Sequence, residues 1–150
     1  MTELPPRVVV GVDGSEQSKL ALRWGAHLAS ARGTKLEAIA TWEFPMGYGW
    51  AAVPVAWNPE HDTEKFLTQT VDEVFGDKRP VDMRLSVHES NPAKALIDPS
   101  EDALMVVVGS RGHGGFAGLL LGSVSASVAE HAKCPVVVVH GDKLPPEATS

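Results

Sequence analysis

The chain has 150 residues, 43% of them hydrophobic and 21% charged, an ordinary globular composition that suits one domain. Nineteen acidic residues against thirteen Lys and Arg leave a net charge of −6, which argues against binding a nucleic-acid strand or an anionic membrane nonspecifically. The single cysteine, Cys134, excludes an internal disulfide framework and a Cys-rich zinc site.

A chain of this length buries about 70% of its unfolded surface, so it needs no metal or disulfide staples. The opening Met1-Thr2-Glu3-Leu4-Pro5-Pro6 lacks the basic region and apolar stretch of a secretory signal. No run approaches the roughly 18 apolar residues that span a bilayer. The expected compartment is the cytoplasm, with no membrane contact.

Arg7 to Asp13 holds a β-branched run without polar alternation, the pattern of a strand buried on both faces. Gly14 and Ser15 break it, and the Ser15 hydroxyl can cap a helix. Leu20, Ala21, Trp24 and Leu28 recur at helical spacing from Ser18 to about Ala31, and Gly33 ends that helix. Lys35 to Trp42 reads as a second strand. The opening is therefore a βαβ unit, which favours a parallel sheet with helices on its faces.

Residues 43–59 break the pattern. Phe44, Tyr48, Trp50 and Trp57 are interleaved there with Pro45, Pro54, Pro59, Gly47 and Gly49. Proline and glycine at this density forbid a long helix, while the aromatic rings need something to pack against. The segment can fold over a ligand, over its own sheet or onto a second subunit.

Helical periodicity returns from Glu60 to Phe75 and stops at Gly76. Asp82 to His88 alternates Met83, Leu85 and Val87 with polar residues, as a half-covered strand near an edge does. Asn91-Pro92 is a strong helix start, and Pro99 keeps that helix short. Leu104 to Val108 is a buried strand, Ser123 to Ala132 a helix, and Pro135 to His140 a further apolar strand. The count is five strands alternating with four helices in one domain, its core about 7–140, with a frayed tail over 141–150.

Six of the fourteen glycines lie within residues 109–122, between a buried strand and a helix. At such a junction glycines let the backbone approach a ligand, and the helix N-terminus adds unsatisfied donors and partial positive charge. A phosphate is the natural guest. The hydroxyls of Ser123 and Ser125 can donate to it while capping the helix. Arg111, the one positive charge between Lys94 and Lys133, is its side-chain partner. A Walker loop is excluded because no lysine closes the glycine stretch, and a dinucleotide fingerprint would follow the first strand, not the fourth. His113 reads as an exposed loop residue, and the remaining histidines have no metal-ligand spacing.

Gly109-Ser110-Arg111-Gly112, nine residues, then Gly122-Ser123 fit the pattern Gly-x2-Gly-x9-Gly-(Ser/Thr). With Val10-Gly11-Val12-Asp13-Gly14-Ser15 and Cys134-Pro135-Val136-Val137-Val138-Val139, this resembles the ATP-binding branch of the universal stress proteins over nearly the whole chain. The resemblance implies an α/β fold: a five-stranded parallel sheet in order 3-2-1-4-5, helices on both faces and a nucleotide across the strand carboxyl ends. It further implies that Gly109, Gly112, Gly122, Ser123 and Val124 contact phosphates and ribose and that Ser125 reaches the γ-phosphate. Gly11, Val12, Ala40 and Thr41 would surround adenine and ribose. Asp13 would hold Mg²⁺ or Mn²⁺, directly or indirectly, because a carboxylate beside phosphates needs a cation between them.

In that order the strand 136–140 lies at a sheet edge, and a flat apolar edge must be covered. Pairing with its own counterpart gives a homodimer, as the resemblance also implies. The expected function is an ATP-binding stress-response module that hydrolyses ATP slowly at most, no catalytic residue being assigned. The alternatives are a nucleotide-free dimeric interaction protein, an ATPase or nucleotidyl transferase on the same sheet, and a module for AMP or a cyclic nucleotide. The transferases carry a His-x-Gly-His signature near the first strand, where this chain has Asp13-Gly14-Ser15.

Overall fold

Strand β1, Arg7–Gly11, is the centre of the molecule: Val8, Val9 and Val10 have no exposed surface. The structure, a computed structural model, describes residues 6–44, 57–111 and 121–146. Helix α1, Glu16–Ala31, starts where the Ser15 hydroxyl accepts from the Ser18 N–H at 3.1 Å. It ends where Gly33 turns left-handed, φ +64°, and the Thr34 N–H returns to the Ala29 carbonyl. β2 is Lys35–Trp42 and α2 is Pro59–Phe75, the latter capped by Asn58 through the His61 N–H at 3.2 Å.

β3, Met83–Glu89, leads to α3, Pro92–Ile97, which the Asn91 side chain caps at the N–H groups of Ala93 and Lys94. Pro99 converts the continuation of α3 into a 3-10 turn, Asp98–Glu101. β4 is Met105–Gly109, α4 Ser123–His131 and β5 Val136–Val139. All pairings are parallel and the order is β3-β2-β1-β4-β5, as the resemblance implies.

α1 and α2 cover one face of the sheet over Val8, Val10, Leu36, Ala38 and Val107. α3 and α4 cover the other over Val9, Ile39, Val106 and Val108. Of the tail expected to fray, 141–150, residues 141–146 are described. The Gln17 amide donates to the Gly141 carbonyl at 2.6 Å and the Trp24 indole to the Lys143 carbonyl at 2.9 Å, so this stretch is tied to α1. Cys134 is half-buried, and burial pushes its thiol above the ordinary range.

One charge is buried in the sheet. Glu37 on β2 accepts from Arg7 Nε at 2.8 Å and from the Ser86 hydroxyl at 2.6 Å, while Arg7 Nη1 also reaches Asp102 at 3.0 Å. Burial alone would raise the Glu37 carboxyl, but the hydrogen bonds from Ser86 and Arg7 outweigh it and hold it below the usual carboxylate range. A depressed carboxyl stabilises the fold above the unfolded-state pKa, and that contribution is lost as pH falls through the folded one. Ser86→Ala removes one of those hydrogen bonds. It is therefore expected to raise the Glu37 pKa and move the acid-unfolding midpoint to higher pH, read by circular dichroism across the carboxylate range.

Candidate functional site

The strand order reverses between β1 and β4, and the crevice at their carboxyl ends is where sheets of this kind take ligands. On the β1 side the Val12 N–H stays bonded to the Ile39 carbonyl at 2.9 Å. Gly14 then turns left-handed, φ +84°. Asp13 Oδ1 accepts from the Ser15 N–H at 2.9 Å and the Ser15 hydroxyl at 2.5 Å, so the carboxylate organises the turn that starts α1. Asp13 itself remains exposed.

On the β4 side the chain leaves the sheet against α1. The Ser110 N–H and hydroxyl approach Gln17 Oε1 at 3.3 and 2.9 Å, and the same Gln17 side chain holds Gly141. A Cβ on Gly109 would stand 2.7 Å from Gln17 Cβ and 3.0 Å from the Gln17 carbonyl carbon and oxygen. The glycine is needed for the helix to approach.

Ser110 also binds the far end of the glycine loop. Its carbonyl accepts from the Gly122 N–H at 2.7 Å, which brings the start of α4 back to the end of β4. No side chain caps α4; its first helical bond runs from the Ala126 N–H to the Gly122 carbonyl at 2.9 Å. The N–H groups of Ser123, Val124 and Ser125 therefore precede the first intrahelical donor, and such groups suit an anion.

Gly11, Val12, Asp13, Gly109, Arg111, Gly122, Ser123, Val124 and Ser125 thus sit on the segments that meet at this crevice. Ala40 and Thr41 lie one strand out on β2; Ala40 is buried in the core under α1, Thr41 half-buried. Val12 is buried too, and the space beside Gly11 is taken by Leu96 of α3, 2.7 Å from where a Cβ would be. Backbone, not side chain, is what Gly11 can offer. Arg111 and Ser123 are exposed, and Val124 packs partly on the α3–α4 core. Gly112 lies outside the described residues.

Ser125 behaves differently from expectation. It is buried, and its hydroxyl donates to the Gly109 carbonyl, fastening α4 to β4. Neither the Ser123 nor the Ser125 hydroxyl caps α4, Gly122 holding the cap position. Gln17 and Ser110 were not among the expected site residues. Gln17 sits in the first turn of α1, and only the adjacency of β1 and β4 brings it to Ser110.

Among the described residues no group of three His, Cys, Asp or Glu side chains could hold a metal ion. A groove of about 830 Å³ lies away from this crevice, between α3 and β3, lined by Arg7, Glu37, Arg84, His88 and Lys94 among others. Its walls carry both signs of charge, and two of its lining residues, Arg7 and Glu37, are already bonded to each other, Glu37 also accepting from Ser86.

The chain matches the model of the Universal stress protein family over residues 6–140. It is 36% identical over 146 residues to a universal stress protein of Mycolicibacterium smegmatis, covering 90% of this chain and 48% of that protein. It thus spans about half the length of the curated relatives it matches. The fold is that of the universal stress protein UspA from Lactobacillus plantarum, TM-score 0.74 at 20% identity, covering 89% of this chain and 97% of that one. A universal stress protein solved in complex with cAMP superposes with TM-score 0.66 at 30% identity, covering 91% and 97% of the two chains.

Proposed function

The chain belongs to the universal stress protein family, and from that premise we propose that it binds an adenine nucleotide across the carboxyl ends of β1 and β4. The observation that carries the proposal is the start of α4, without a side-chain cap and drawn against the end of β4 by the Gly122–Ser110 bond. A phosphate there accepts from the N–H groups of Ser123 and Val124, with Arg111 contributing its charge. Gly11, Val12, Ala40 and Thr41 border the nucleoside. Ser125 contributes its backbone, its hydroxyl being turned to Gly109.

ATP is the nucleotide that the glycine spacing favours, with Asp13 supporting a Mg²⁺ or Mn²⁺ ion that neutralises the phosphates. The cAMP complex of the 30% identical relative favours a second reading, a cyclic or monophosphate nucleotide at the same place. Among the described residues no base is assigned to activate water, and in this reading turnover is slow at most and the nucleotide acts by changing conformation or partner choice in a stress response. The domain acts in the cytoplasm as a homodimer. β5 supports that pairing: it is an edge strand of four valines, three of them only half-buried. Sedimentation velocity reads the pairing directly.

A ligand that binds only the folded state at 100 times its Kd adds about 2.7 kcal/mol of stability. ATP with Mg²⁺, or cAMP, is accordingly expected to raise the melting temperature by several degrees in a thermal-shift titration. No shift with ATP, AMP or cAMP at millimolar concentration would sink the nucleotide reading.

A further inference from the structure

The segment that follows β5 runs along α1 as a strap. Gln17 and Trp24 stand two turns apart on α1 and so share one face of the helix. From that face the Gln17 amide donates to the Gly141 carbonyl at 2.6 Å and the Trp24 indole to the Lys143 carbonyl at 2.9 Å. The strap gives backbone to these donors and buries little side chain in return: Gly141 to Leu144 are all exposed, Leu144 at 62%. A segment tied by surface hydrogen bonds of this kind opens at small cost.

The other end of the Gln17 amide faces the glycine loop. Its Oε1 accepts from the Ser110 hydroxyl at 2.9 Å and from the Ser110 N–H at 3.3 Å, while Nε2 serves the strap. A carbonyl only accepts and an N–H only donates, so the two partners together fix which way the amide points. With the strap open the amide is free to turn, and its hold on Ser110 slackens. The carbonyl of this buried serine in turn holds the Gly122 N–H at 2.7 Å, where α4 begins. A continuous path therefore leads from the strap through Gln17 and Ser110 to the start of α4.

We propose that Gln17 is a positioning residue that couples the nucleotide site to the strap: a bound nucleotide holds the strap on α1, and an empty site lets it open. The proposal rests on the nucleotide reading above and names the element that responds to occupancy. A ligand shifts an equilibrium only by binding one of the two states better. The closed strap fixes the Gln17 amide and, through Ser110, the N–H groups at the start of α4, so the nucleotide binds that state better. Reciprocally, opening the strap weakens the nucleotide by the same factor. The strap follows directly on β5, so occupancy is displayed beside that sheet edge.

Trypsin reads the strap at one bond. To be cut between Lys143 and Leu144, the chain must free the Lys143 carbonyl from Trp24 and present it to the oxyanion hole of the protease. The initial rate of that cut, followed by mass spectrometry on the whole chain, tracks the open population. ATP with Mg²⁺, AMP or cAMP, whichever calorimetry shows to bind the parent, is expected to slow it about fivefold at saturation. Gln17→Leu is expected to bind that nucleotide about fivefold more weakly, and at saturation to be cut at one rate with and without it. Gln17→Glu keeps an acceptor for Ser110 but has no donor for the strap, and is expected to lose the protection as well. Trp24→Phe loosens the strap but leaves Gln17 in place, so it is cut faster than the parent and still protected. Undiminished protection in both Gln17 variants makes Gln17 merely structural and overturns the coupling, as does an unchanged rate in a parent that binds. Failure of all three nucleotides to bind the parent overturns the nucleotide reading with it.

Discussion

Gly25→Val is expected to lower the stability of the chain by about 3 kcal/mol. Gly25 lies on the face of α1 that crosses the sheet, and a Cβ there would stand 2.5 Å from Val10 Cγ2 and 3.3 Å from Leu36 Cδ1. Val10 and Leu36 have no exposed surface, and a β-branched valine has little rotamer freedom with which to retreat. Glycine inside a helix costs about 1 kcal/mol relative to alanine. At an open position, then, Gly25→Ala would stabilise. Here the overlap outweighs that gain, so alanine is expected to destabilise and valine to do so further. Urea unfolding with an unchanged slope measures both. An alanine variant as stable as the parent would show that α1 can lift from β1 freely.

The same glycine marks where reading a sequence stops. Within the helical pattern of residues 18–31, Gly25 is merely tolerable; its reason is a helix-to-sheet approach that no periodicity encodes. The runs Val8–Val10, Val106–Val108 and Val136–Val139 are legible as central or apolar strands because they lack polar alternation. Asn91-Pro92 and Gly33 mark helix ends by their own backbone chemistry, as the structure bears out. The start of α1 at Glu16 precedes its apolar periodicity, because the Ser15 cap and not the apolar face sets it.

Long-range pairs are another matter. Glu37 reads simply as part of a strand, and its burial with Arg7 and Ser86 follows from the register of β1, β2 and β3. At the candidate site the glycine spacing is a local signal and could be read. Gln17 could not, since its contact with Ser110 spans 93 residues. Nor could the Ser125 hydroxyl, whose nearest acceptor is the Gly109 carbonyl once α4 folds back on β4.

Gly109→Ala is the substitution with the widest expected consequence. Two reasons for the glycine compete: access for a phosphate, and access for α1. If only the first held, alanine would weaken nucleotide binding and leave the unliganded protein as stable as before. The 3.0 Å approach to the Gln17 carbonyl is to backbone in the first turn of α1, which cannot yield as a flexible side chain does. Gly109 also accepts from Ser125, and Ser110 beside it joins Gln17 and Gly122, so the strain falls where β4, α1 and α4 are tied together. The unliganded variant is therefore expected to lose about 2 kcal/mol, read by urea unfolding. Nucleotide affinity is expected to fall at least tenfold, roughly 1.4 kcal/mol, because the donors at the start of α4 shift with the bond that holds them. Measured against Gln17→Gly alone, which already lacks the Cβ contact and the Gln17 hydrogen bonds to Ser110 and Gly141, Gly109→Ala should still cost stability, but less than in the parent. No cost in that background would mean that side-chain crowding alone requires the glycine; an unliganded Gly109→Ala as stable as the parent would leave the phosphate as its sole reason.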